Sequence, residues 1–132
     1  MKGKFELVKQ YLNDMGIAIV SEDVEKELVV VEDEENGIKN LVIDCEEPIL
    51  VLEQVIMKVK PESEGFFKHL LQMNRELVHG AFVLDESGDT VLFRDTLQLE
   101  NLDQNELEGT VHALSLALSE YGAEFLKYAS HQ

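Results

Sequence analysis

Apolar residues recur along this chain in two alternating rhythms. Phe5, Val8, Leu12 and Met15 are spaced +3, +4 and +3, with Leu7 and Tyr11 beside them. That spacing lays one apolar stripe along a helix of about 12 residues, and Gly16 supplies its stop. From Ile17 to Val59 the rhythm changes to β-branched runs cut by polar turns: "GIAIV", "ELVVVE", "LVIDC" and "ILVLEQVIMKV". These read as strands, with "DEENG" at 33–37 as a hairpin loop between the second and third. The fourth run lies between Pro48 and Pro61 and is open to a strand or a short helix; its Val and Ile content favours extended backbone.

Past Pro61 the helical rhythm returns. Phe66, Phe67, Leu70, Leu71, Met73 and Leu77 fill a broad stripe over Phe66 to Leu77, with Ser63 placed to serve as an N-cap. Gly80 releases the chain into a hairpin, "HGAFVLDESGDTVLFRDTL" at 79–97, folded about Ser87-Gly88-Asp89. The last element opens at "LDQNE", where Asp103 and Glu106 have capping-box spacing. It continues through Leu107, Val111, Leu114, Leu118, Tyr121 and Phe125 as a long C-terminal helix. Gly109 and Gly122 each weaken that helix by up to about 1 kcal/mol relative to alanine.

The resulting order, α-β-β-β-α-β-β-α with the segment 49–60 left open, is α+β with an antiparallel sheet. The length of 132 residues suits a single domain over 1–132. An antiparallel sheet often shows water one face, and its strands then alternate apolar and polar residues. The runs "VVV", "LVI", "ILVL" and "AFVL" do not alternate. They place apolar side chains on both faces, more than three helices on one side would cover. The second face is therefore expected to meet another chain, in a homodimer or a partner complex, rather than to be filled from within.

Charge narrows the choice of partner. Asp and Glu number 27 against 11 Lys and Arg, a net charge of −16 spread along the chain. Phosphate backbones are repelled by such a surface. With only Arg75 and Arg94 as arginines and no tryptophan for base stacking, nucleic acid is not an expected partner. The apolar runs fall well short of the roughly 20 residues of a membrane span. "MKGKFELVKQ" lacks the apolar stretch of a secretory signal. A cytoplasmic protein with no membrane insertion is expected, and Cys45, alone in the chain, reads as a buried thiol.

Candidate chemistry is sparse. His69, His79, His112 and His131 show no i, i+4 spacing and belong to no zinc motif. His79 reads as a boundary residue and His112 as solvated. A twelve-residue calcium loop needs glycine at position six, but a frame opened at Asp85 puts Thr90 there and one opened at Asp33 puts Ile38. No GxGxxG or GxxxxGK[ST] cradle occurs. No cofactor, metal site or catalytic residue is expected, and the chain does not read as an enzyme. A hydrolase would need a histidine meeting a carboxylate and a hydroxyl or thiol in space.

The stretch from Phe66 to Leu102, "FFKHLLQMNRELVHGAFVLDESGDTVLFRDTLQLENL", resembles the core of the type III secretion chaperone-like fold. It is most similar to the YbjN-domain branch, with Tir-chaperone-like character. The resemblance rests on a helix ending in "LLQMNREL", the Gly80-Ala81-Phe82 strand entry, an acidic turn with Gly88 and a second strand followed by "TLQLENL". It implies a small acidic domain, commonly a homodimer, without catalytic residues. In such chaperones the dimer forms through the helix before the hairpin and the neighbouring strand. That assigns dimer candidates Phe66, Phe67, Leu70, Leu71, Met73, Ala81, Phe82 and Leu84. The resemblance also implies a polypeptide client lying on apolar patches of the first helix and early strands, here Phe5, Val8, Leu12, Val29, Val31, Leu41 and Ile43. The alternative is a regulatory or sensory domain that binds a small ligand between sheet and helices.

Arg94 stands between Phe93 and Asp95 in the second hairpin strand. Strand geometry puts its side chain on a face with Leu92 and Thr96, opposite Val91 and Phe93. Its stem can lie on apolar surface while the guanidinium meets a carboxylate such as Asp85 or Asp95. The other role open to it is that of a dimer-interface anchor for an acidic group on a second chain.

Overall fold

A computed structural model describes residues 2–130. Helix α1 (Lys2–Asp14) leads into strands β1 (Ala18–Asp23), β2 (Leu28–Asp33), β3 (Ile38–Glu46) and β4 (Ile49–Lys58). Helix α2 (Glu64–Met73), the hairpin β5 (Ala81–Leu84) and β6 (Thr90–Gln98), and helix α3 (Gln104–Leu126) complete the chain. The segment left open between helix and strand is β4, which adds a strand before α2. Its alternating burial, with Leu50, Leu52 and Gln54 inside, is the period-two pattern of extended backbone.

All neighbouring strands pair antiparallel in the order β1-β2-β3-β4-β6-β5. The hairpin does not simply append itself: β6 docks along β4 and leaves the four-residue β5 at the edge. That edge is protected at Phe82, whose N–H donates to Asn74 Oδ1 (2.8 Å) and whose carbonyl accepts from Asn74 Nδ2 (3.1 Å). One side-chain amide thus substitutes for a missing strand.

Three helices contribute to a single core. Phe5, Val8 and Leu12 of α1, Phe66, Leu70 and Met73 of α2, and Leu107, Val111, Leu114 and Phe125 of α3 are buried against one face of the sheet. Phe66 is the aromatic centre, stacked on Tyr128 at 4.4 Å and edge-on to Phe125 at 5.8 Å. Phe82 joins Phe125 to Phe93 through edge contacts of 5.0 and 6.2 Å. Such contacts tie α2, the hairpin and α3 together.

Local signals were met with two exceptions. Asp103 and Glu106 form the capping box of α3, the Glu106 N–H donating to Asp103 and the Asp103 N–H to Glu106. Ser63 does occupy the position before α2, but its hydroxyl donates to the Lys60 carbonyl (2.8 Å) instead of accepting from the helix. Helix α2 also ends at Met73, short of Leu77, because the chain tightens into a 3-10 turn over Asn74–Glu76. That turn is what aims the Asn74 amide at β5.

Gly80 sets the entry to the hairpin. Its φ is +74°, and a Cβ there would lie 2.3 Å from Cζ of Phe93, a ring fixed in the core. Gly80→Ala therefore combines left-handed strain with overpacking and is expected to cost about 3 kcal/mol. Urea unfolding checks this as a lower midpoint at an unchanged slope.

Candidate functional site

Because strand side chains alternate, the residues that miss the core form a second surface. Leu28, Val30, Val42, Val51, Val55, Val83 and Leu92 are half-buried or exposed, and none of them packs into the core. They lie in register. Ser21, Val30, Val42, Glu53, Arg94 and Ala81 are successive cross-strand partners across the whole sheet. Asp23, Leu28, Asp44, Val51 and Thr96 form the next row, and Val55, Leu92 and Val83 a third on the other side. This helix-free face is the candidate site.

Its charged groups are few. Arg94 Nη1 donates to Glu53 Oε2 at 2.7 Å, across the β4–β6 pair and within one chain. The partner is Glu53 and neither Asp85 nor Asp95. Asp95 is the adjacent residue on the strand, so its side chain points to the helix side, where Thr110 Oγ1 of α3 donates to it at 2.7 Å. Asp85 is held in the turn by Gly88 N–H, Thr90 N–H and the Ser87 hydroxyl. Asp44 differs from both: its Oδ1 is sealed from solvent with no hydrogen-bond donor against it. Burial is the leading reason its pKa is raised above the usual carboxylate range, with Glu46 adding to the effect and Lys26 opposing it.

The residues singled out for client binding, Phe5, Val8, Leu12, Val29, Val31, Leu41 and Ile43, are each no more than 3% exposed. They are the chain's own interior. The apolar surface offered by the same strands belongs to their neighbours Val30 and Val42, one position away and on the opposite face. The dimer candidates divide. Phe66, Leu70, Met73 and Phe82 are core; Phe67, Ala81 and Arg94 are half-buried; Leu71 and Leu84 stand out at 72% and 40% exposure.

Among the described residues, the remaining candidate groups do not converge. Cys45 is buried, and burial pushes its thiol up to about 11, a poor nucleophile near neutral pH. His69 Nε2 lies 2.9 Å from Glu124 Oε1, bridging α2 and α3. His79 packs over Gly109, His112 is exposed, and His131 lies outside the described residues. Among the described residues no three His, Cys, Asp or Glu side chains gather as metal ligands. A concavity of about 750 Å³ lies at the rim, lined by Met15, Asn36 and Glu108 among others.

Glu53, Asp44 and Gln54 were not singled out from the residues alone. Gln54 is buried where β3 bulges, its amide oxygen accepting from Lys39 N–H (3.0 Å) and its amide nitrogen donating to the Gly37 carbonyl (3.1 Å). The available signal was parity along β3 and β4, which puts Asp44 and Glu53 on one face and Gln54 on the other.

The family model CesT_Tir_1 matches residues 1–131. Among solved structures, the chain is similar to YbjN from E. coli, with a TM-score of 0.70 at 14% identity, covering 91% of this chain and 92% of that one. It is similar to the Yersinia pestis type III secretion chaperone SycH, solved in complex with a stable fragment of YscM2. There the TM-score is 0.60 at 15% identity, covering 88% and 98% of the two chains. The ExsC–ExsE complex gives a TM-score of 0.58 at 21% identity and 86% coverage of each chain. These likenesses establish the fold. No curated protein matches the chain.

The hairpin turn provides a check on the electrostatics. The Ser87 hydroxyl, within bonding distance of both carboxylates, is the leading reason Asp85 and Asp89 sit below the usual carboxylate range. With folded pKa values depressed, the turn's contribution is complete above about pH 4, the unfolded value. It is lost as pH falls through the folded values. Ser87→Ala is expected to raise both pKa values, read by carboxyl-detected NMR titration; two unmoved titrations would contradict the assignment.

Proposed function

The chain belongs to the CesT_Tir_1 family, and we propose that it is a chaperone-like protein without catalytic activity that binds a segment of another polypeptide on the helix-free face of its sheet. The observation that carries this reading is the face itself: rows of Val30, Val42, Val51 and Leu92 that no helix covers. These side chains are already half-buried, so covering one is worth less than the roughly 1.5–3 kcal/mol of complete burial, and binding rests on several anchors together after ordering costs. Support comes from the solved neighbours, two of which are complexes: SycH with a fragment of YscM2, and ExsC with ExsE. A small-ligand reading has less behind it, because the concavity of about 750 Å³ is open at the rim and the residues under the helices form the apolar core.

We further infer that the chain acts as a cytoplasmic homodimer, one domain per copy. Leu71 on α2 and Leu84 on β5 supply exposed apolar anchors on the two elements through which the dimer is expected; Phe67 of α2 is half-buried, while Ala81 and Arg94 lie on the helix-free face. Among the described residues no helix is long and apolar enough to cross a membrane.

Two measurements test these assignments. Reduced and carbamidomethylated lysozyme, an unfolded basic chain, is the binding probe. Replacing Val30, Val42 and Val51 by threonine keeps shape and strand propensity and is expected to weaken its binding about ten-fold or more by fluorescence anisotropy. Binding equal to wild type, or no binding by wild type, would overturn the assignment. In sedimentation, the chain is expected at twice its 15.0 kDa mass, and Leu71→Glu at the monomer mass; a wild-type monomer would remove the dimer.

A further inference from the structure

The helix-free face is not neutral, and its charge is only partly internally paired. Asp44, Glu46 and Glu53 project from it, and Arg94 is committed to Glu53. Asp44 is flanked across the strands by Leu28 and Val51. These apolar neighbours explain why one of its oxygens is sealed from solvent without a donor from the chain. Lys26, exposed in the β1–β2 turn, acts on Asp44 only at a distance and makes no ion pair with it. Asp44 is half-buried, with one oxygen sealed and unpartnered, and a cation brought by a partner stabilises such a partly desolvated carboxylate more than it would a fully hydrated acid.

On the reading that this face takes a polypeptide, we propose that the bound segment carries a lysine or arginine flanked by apolar residues, and that Asp44, supported by Glu46, selects it. The apolar rows of Val30, Val42 and Val51 supply affinity, while the carboxylates supply choice. The net charge of −16 works in the same direction by drawing basic segments toward the chain before contact. A segment with an acidic residue at this point would meet Asp44, Glu46 and Glu53 together and be rejected.

A library of random dodecapeptides displayed on phage, selected against the immobilised full chain, tests this directly. Wild type is expected to enrich peptides with a Lys or Arg between apolar residues roughly five-fold over acidic counterparts, less so in added salt. Asp44→Asn, similar in shape and free of the buried charge, is expected to keep the apolar preference and lose most of the basic one. Asp44→Lys is expected to reverse the charge preference. Circular dichroism matching wild type qualifies each variant, and Glu46→Gln, at an exposed position, serves as a second reporter with a smaller loss. Apolar peptides enriched without regard to charge, or an Asp44→Asn profile like wild type, would overturn the charge selection while leaving polypeptide binding intact. No enrichment of any peptide by wild type would overturn both.

Discussion

Every strand puts its side chains on two faces, and the three helices of this chain all pack on one. That asymmetry governs the rest. It fixes which half of each apolar run becomes core and leaves the other half facing out: Val29 and Val31 inside, Val30 outside; Leu41 and Ile43 inside, Val42 outside. A one-residue shift in register would exchange the two sets. Side-chain amides within the sheet and at its β5 edge support that register. Gln54 satisfies the backbone of Lys39 and Gly37 where β3 bulges, and Asn74 caps the backbone of Phe82 at the β5 edge.

Charge and burial meet at the middle of the open face. The Arg94–Glu53 pair there is more than a third exposed on both sides, so its contribution to stability is small. Its greater effect is on the surface it leaves: one cation neutralises one carboxylate, and Asp44 retains an oxygen without a partner. Copies carrying −16 repel one another at long range, which opposes non-specific association through exposed apolar side chains. The hairpin at 79–97 has a structural place in this framework. Its turn is an internally bonded acidic cap, and β6 serves as a central strand with Phe93 in the core and Arg94 on the open face.

Much of this was legible in the residues. The stripe through Phe5, Val8 and Leu12, the steps from Leu107 to Phe125 and the Asp103–Glu106 spacing are local signals, and local physics formed those helices. The non-alternating runs revealed that apolar residues would occupy both faces of the sheet. Which parity faces the helices was not legible, because "VVV" and "LVI" are apolar at either parity and the choice is made by tertiary packing. The partner of Arg94 was hidden for a related reason. Glu53 lies 41 residues away, and only the docking of β6 against β4 brings the two together. Cys45, by contrast, sat at the end of a strand-like run, and its burial followed from that position.

The central claim is that the helix-free face, and not the outer surface of α3, takes up the polypeptide segment. Site-specific photo-crosslinking in the native cell tests it most directly. Benzoylphenylalanine replaces Val42, Val51 or, as a control on the exposed surface of α3, Glu120. The account predicts adducts with another polypeptide from positions 42 and 51 and none from 120; adducts from 120 alone, or from none of the three, would contradict it.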